Sequence, residues 1–158
     1  MKAFMDQEFM LQNKTAQHLY HTYAADMPIC DYHCHISPKE IYENRRFENI
    51  TQVWLGGKQP DGTYFGDHYK WRVMRSNGVP EEYITGSKPD RERFQKFAEA
   101  LPMAIGNPMY HWTNLELHKY FGYDGVLNGD TAEEVWNLCN DKLQNDPKLT
   151  VRGLIEQS

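Results

Sequence analysis

Cysteine is scarce in this chain and shows no paired pattern. Cys30, Cys34 and Cys139 are the only three in 158 residues, so the disulfide framework that staples small secreted folds is missing. Long apolar runs are missing too, and none approaches the ~20 residues needed to span a bilayer. Lys and Arg number 17 against 22 Asp and Glu, a net charge of −5, and no basic cluster dominates any stretch. That balance argues against nucleic acid and anionic membrane as partners. No Gly-rich phosphate loop, Ser-centred elbow or Cys-x-x-Cys pair is present, and there is no internal repeat. The opening residues, Met1 to Glu8, place acids where a signal peptide needs its apolar region, so a cytoplasmic location is expected.

What the chain does carry is aromatic mass: 10 Tyr, 7 Phe and 4 Trp. This suits the core of a globular domain and is too much for a disordered chain. The most informative stretch is Asp31-Tyr32-His33-Cys34-His35, after the short apolar run Met27-Pro28-Ile29-Cys30. Read as a β-strand it alternates faces, so Asp31, His33 and His35 share one side. Tyr32 and Cys34 then turn to the other, Cys34 as a buried thiol. Two imidazoles on one rigid face can reach a single divalent ion. Ser37-Pro38 ends the strand at once, and a metal pair at the carboxyl end of a strand is how (β/α)-barrel enzymes begin an active site. His-x-His also arises by chance, so spacing alone keeps an incidental pair as the competing reading.

Most of the remainder reads as helix. A first helix is expected from Thr15 to Ala24, with Leu19, Tyr20 and Tyr23 on one face. Ser37 caps the next, with Pro38 at its first position and Glu40 closing a capping box. Asn49 opens a helix through Trp54 and Leu55 that Gly56-Gly57 stops. Lys58 to Gly66 reads as a polar surface loop with a turn at Pro60-Asp61-Gly62. Asp67 caps a helix that ends at Asn77-Gly78. From Pro89 to about Ala100, Phe94, Phe97 and Leu101 are spaced for a core face. Asn107-Pro108 starts a helix in which Trp112, Leu115, Tyr110 and Leu117 are expected to be buried. Thr131-Ala132-Glu133-Glu134 reads as a second capping box, and Thr150 begins the last helix. The pattern is one strand followed by more than a hundred helical residues.

A second chemical cluster is Asp67-His68-Tyr69-Lys70-Trp71-Arg72. His68 and Arg72, four apart, share a helical face. Imidazole suits proton transfer near pH 7, and Arg binds a carboxylate through two parallel bonds. A capped surface helix is the plainer reading on spacing alone. His18, His21, His111 and His118 read as surface or packing groups.

Taken together, several stretches resemble one family. Phe4-Met5, Leu19-Tyr20-His21, Pro28 to His35, Gly66 to Val79 and Ile105 to Trp112 look like the opening of uronate isomerases. The likeness continues through Leu115-Glu116-Leu117 and Phe121-Gly122 to the helix from Thr131 to Asn140. That family belongs to the amidohydrolase superfamily. The resemblance implies an α/β fold, the amino-terminal part of a distorted (β/α)8 barrel (TIM-like). It implies interconversion of D-glucuronate with D-fructuronate and of D-galacturonate with D-tagaturonate. It also implies zinc or another divalent metal on His33 and His35, with His68 acting at the hexuronate substrate. Tyr69 stands beside His68, and Arg72 is carried over as a cation for the anionic sugar. A homo-oligomer fits this reading, while nucleic acid and membrane do not.

Residues 1–36 are then expected to form an arm, a helix and the first barrel strand, 37–149 a helical insertion roofing the site, and 150–158 the start of a helix leading back. A (β/α)8 barrel takes about 250 residues, so this length is expected to supply only the first part of one. Two histidines also fall short of the three protein ligands usual for catalytic zinc. The chain alone is therefore expected to be inactive and to bind metal weakly. Two other readings compete. One is a metal-dependent hydrolase of the same superfamily, in which His33 and His35 activate water; the 67–79 and 105–112 stretches argue against it. The other is a stand-alone helical interaction module.

Overall fold

The computed structural model of the chain describes residues 4–58 and 62–158, and it separates into two compact units, Met1–Cys34 and His35–Ser158. In the first, Asn13 caps α1 (Lys14–Leu19) by accepting the Ala16 N–H at 2.9 Å. A short polar side chain there satisfies a donor that has no partner inside the helix. The expected helix to Ala24 changes character over Tyr20–Ala24, which forms a π-helical turn closed by the Ala25 N–H on the Tyr20 carbonyl. Leu19, Tyr20 and Tyr23 are exposed.

The strand expected before His35 is not formed. Residues 28–34 carry no regular secondary structure, and Ile29 and Tyr32 are 88% and 98% exposed. Cys34, expected as a buried thiol, is exposed. A strand is held by ladder hydrogen bonds from a neighbour and by burial of alternate side chains. Among the described residues no segment pairs with this one.

The second unit runs through α2 (Pro38–Glu43), α3 (Ile50–Trp54), a hairpin of β1 (Gly57–Lys58) and β2 (Tyr64–Phe65), and α4 (His68–Ser76). It continues with α5 (Asp90–Ala100), α6 (Pro108–Phe121), α7 (Ala132–Asn145) and α8 (Val151–Glu156). Among the described residues no helix is long and apolar enough to cross a membrane. The hairpin corrects the expected loop: Gly57 pairs with Phe65 and Lys58 with Tyr64, antiparallel. Of the expected turn, Pro60 and Asp61 lie outside the described residues. Two glycines close the hairpin stem. Gly56 has φ +64°, and a Cβ there would stand 1.8 Å from the Phe65 carbonyl oxygen; one on Gly66 would stand 2.3 Å from that of Leu55. This backbone contact brings the end of α3 against the residue before Asp67.

The core is built on α5, whose Phe94 and Phe97 are fully buried. Trp54 of α3 lies across them, with ring centroids 6.0 Å from Phe94 and 5.7 Å from Phe97. Met74 of α4, Leu117 and Phe121 of α6, and Val135, Cys139 and Leu143 of α7 complete it. Arg93 of α5 is only 3% exposed and bonds three separate segments. It donates to the Gly56 carbonyl at 3.1 Å, the Ile84 carbonyl at 2.8 Å and Asp90 Oδ1 at 3.0 Å.

The Ser37 capping box forms as expected, the Glu40 N–H donating to Ser37 Oγ and the Ser37 N–H to Glu40 Oε2. Thr131 does not form one. Its backbone is already helical, and its hydroxyl donates to the Val126 carbonyl and accepts the Asn128 N–H, closing the preceding loop instead. Trp112 and Leu115, expected to be buried, are 52% and 40% exposed. The buried face of α6 is Met109, Thr113, Asn114, Leu117 and Phe121, and Trp112 and Leu115 fall outside it.

The two ends of this unit are clasped. Arg46 donates to the Leu143 and Asp146 carbonyls, the Val151 N–H to the Arg45 carbonyl, and Arg152 to the Ile41 carbonyl.

Burial pushes the Cys139 thiol up to about 12, Lys142 lowering it only in part. Alkylation depends on thiolate and access, so native protein is expected to take label at Cys30 and Cys34 and not at Cys139. Intact-mass spectrometry reads this directly. Three labels without denaturant would contradict the packing of α7.

Candidate active site

The chemistry gathers where α4 begins. Asp67 accepts the Tyr69 N–H through Oδ1 at 2.8 Å and so caps the helix. Lys70, one turn on, is 4% exposed and donates to Asp67 Oδ2 at 3.1 Å. Glu116 of α6 brings Oε1 to 3.9 Å from the same ammonium, while its Oε2 accepts Trp54 Nε1–H at 2.5 Å. Trp71 Nε1–H donates to the Leu55 carbonyl at 2.9 Å and ties α4 to the end of α3. Burial opposes ionisation of Asp67. The Lys70 charge, the Tyr69 N–H, the Lys70 hydrogen bond and His35 outweigh it and hold the carboxyl below the usual carboxylate range.

His35, just before the Ser37 cap, places Nδ1 3.5 Å from Asp67 Oδ1. Its ring stacks with that of His68 at 5.2 Å between centroids and with that of Tyr69 at 5.6 Å. His68 and Tyr69 are 4.3 Å apart. Arg72 lays its guanidinium 5.7 Å from the centre of the Tyr69 ring. One ligand atom from each of His35, Asp67 and His68 falls within 4.8 Å of the others. Two imidazoles and a carboxylate are donors of the types that zinc takes, but this carboxylate also faces the Lys70 ammonium. A cleft of about 740 Å3 adjoins this point, with His35, Asp67, Lys70, Glu116 and Arg93 among its walls.

Of the residues singled out in the sequence, His35, His68, Tyr69 and Arg72 come together at the start of α4. His33 belongs to the first unit, where it is exposed and its backbone N–H donates to Asp31 Oδ1 at 2.9 Å. Lys70 and Glu116 were not read as site residues. Lys70 had a signal: it lies three and four residues before Val73 and Met74, on the buried face, where a lysine demands a partner. Glu116 sits among aromatics on α6 and had none.

Comparison with known proteins adds a decisive observation. A family model described as glucuronate isomerase matches residues 1–158, the whole chain. This chain belongs to the glucuronate isomerase family. The uronate isomerase of Lachnospira eligens is 68% identical over 158 residues, covering 100% of this chain and 32% of that protein. That of Bacillus subtilis is 53% identical, covering 100% and 31%. The chain thus spans about a third of the length of these relatives. Among solved structures, uronate isomerase from Thermotoga maritima matches with a TM-score of 0.79 at 36% identity, over 94% of this chain and 30% of that one. Glucuronate isomerase from Caulobacter crescentus gives 0.78 at 23% identity, over 99% and 33%, a likeness of fold. Family membership favours neither the hydrolase nor the interaction-module reading.

Proposed function

We propose that this chain forms part of a uronate isomerase, an aldose–ketose isomerase interconverting D-glucuronate with D-fructuronate and D-galacturonate with D-tagaturonate. The observation that carries this reading is the His35–His68–Tyr69 cluster at the head of α4, in a chain matched by the family over its whole length. The same reading makes residues 28–35 the first strand of a (β/α)8 barrel of the amidohydrolase superfamily and 37–149 its helical cap. The greater length of the relatives supports it, because it leaves room for the strands that would pair with that segment. A cytoplasmic location goes with the reading.

Isomerisation moves a proton from C2 to C1 while a second proton passes between O2 and O1. It needs a group that takes and returns the carbon-bound proton, and donors that hold the oxygens as charge develops. His68 is assigned the proton shuttle. The Tyr69 hydroxyl donates to a sugar oxygen, and Arg72, packed on the Tyr69 ring, binds the substrate carboxylate. Zinc or another divalent ion on His33 and His35 would polarise the sugar oxygens. His68 is thereby left for proton transfer and is not a ligand.

The test is His68→Asn in the complete enzyme. Turnover of both uronates is expected to fall about 100-fold with metal content unchanged. An unchanged rate would remove His68 from the proton path, and loss of the metal would make it a ligand.

A further inference from the structure

Four polar groups run in file from the core of the second unit to His35. Glu116 Oε1 lies 3.9 Å from Lys70 Nζ, Lys70 Nζ 3.1 Å from Asp67 Oδ2, and Asp67 Oδ1 3.5 Å from His35 Nδ1. Lys70 occupies a core position on α4, in register with Val73 and Met74, and its ammonium also lies 5.8 Å from the centre of the Trp54 ring. A buried ammonium is unfavourable unless it is paired, and a methionine or leucine would fill the same space without that penalty. The residue therefore calls for a polar task.

We propose that Lys70 is a positioning residue. It locks the Asp67 carboxylate so that Asp67 orients His35 for metal binding and itself stays out of the coordination shell. The proposal rests on the reading above only in taking His35 as a metal ligand.

Both oxygens of Asp67 are already engaged, Oδ1 by the Tyr69 N–H and by His35, Oδ2 by Lys70. A divalent ion on that carboxylate would sit against the Lys70 ammonium, like charge beside like charge. A carboxylate beside Nδ1 of an imidazole favours the proton on that nitrogen, which leaves Nε2 to carry the lone pair that binds an ion. Acids held behind ligating histidines act in this way, fixing the tautomer and the ring orientation. Lys70 stands one step further back and holds the acid in place.

Two measurements on this chain decide the matter. The first is nitrogen NMR of the imidazoles at a pH where they are neutral. His35 is expected as the Nδ1–H tautomer in the native protein, to drift towards Nε2–H in Lys70→Met, and to return in Lys70→Arg. The second is Zn2+ affinity by competition with a chromophoric chelator. Lys70→Met is expected to weaken binding about tenfold, the cost of disturbing an outer partner, with Lys70→Arg close to native. If Asp67 were itself a ligand, removing the competing ammonium would tighten binding instead.

Methionine suits the buried site, so the variant should stay folded. A purely structural role would shift its unfolding midpoint and move neither the tautomer nor the affinity. A native His35 protonated on Nε2, or tighter Zn2+ binding by Lys70→Met, overturns the proposal. The tautomer decides even where Zn2+ binds too weakly to titrate. Should His68→Asn leave turnover intact while His35 behaves as stated, only the proton-shuttle role of His68 falls.

Discussion

Replacing Phe97 by alanine is expected to lower the stability of the second unit by about 3–5 kcal/mol. Phe97 is fully buried on the central helix, with its ring edge-on to Trp54 at 5.7 Å. Truncation forfeits both the transfer free energy of the ring and the contacts of its neighbours, because Trp54 on α3 and Phe94 on α5 are held by their helices and can collapse only in part. A domain of this size is stable by about 5–15 kcal/mol, so the change removes a large share. Urea unfolding followed by tryptophan fluorescence checks it, with Met103→Ala, 76% exposed, as the control. A Phe97 loss no larger than that of the control would mean that α5 does not anchor this core.

Arg93→Ala is expected to cost about 3 kcal/mol for a different reason. The guanidinium joins the end of α3, the turn at Ile84 and the start of α5 through three hydrogen bonds. Alanine leaves the carbonyls of the buried residues Gly56 and Ile84 without their donor. Arg93→Lys is expected to recover less than half, because one ammonium cannot span positions that the planar fork reaches from two nitrogens. Full recovery by lysine would show that charge alone, and not geometry, holds the three segments. Midpoints in urea, compared at equal slope, separate the outcomes.

These two residues differ in how readily the sequence shows them. Phe97 was legible because Phe94, Phe97 and Leu101 repeat at helical spacing. The helix starts at Ser37, Asn49 and Asp67 could be read as well, since a cap acts within three residues. Arg93, in the charged run from Asp90, gave no sign of burial; two of its three partners lie 9 and 37 residues away. The strand before His35 failed for the opposite reason. Its alternation is local, but a strand's ladder must come from another segment, and the sheet among the described residues, β1 with β2, does not include it. Thr131 carried the letters of a capping box, but a competing bond to Val126 took its hydroxyl. At the site, His68, Tyr69 and Arg72 were legible as neighbours on one helix turn. That Asp67 faces His35, and that Glu116 stands behind Lys70, depends on tertiary contacts that no spacing encodes.

The clasp between α2 and the end of the second unit bears on how the protein is born. It joins residues 97 to 111 positions apart, among the costliest closures a chain of this length can make. On a ribosome adding roughly 5–20 residues per second, the segment from Ile41 to Arg46 waits roughly 5–20 s for Leu143 and Arg152 to be synthesised. Through that interval the edge of the core beside Phe47 and Ile50 lacks the cover that these contacts give it. Codon choice between Arg46 and Arg152 thus sets how long the newborn chain is at risk.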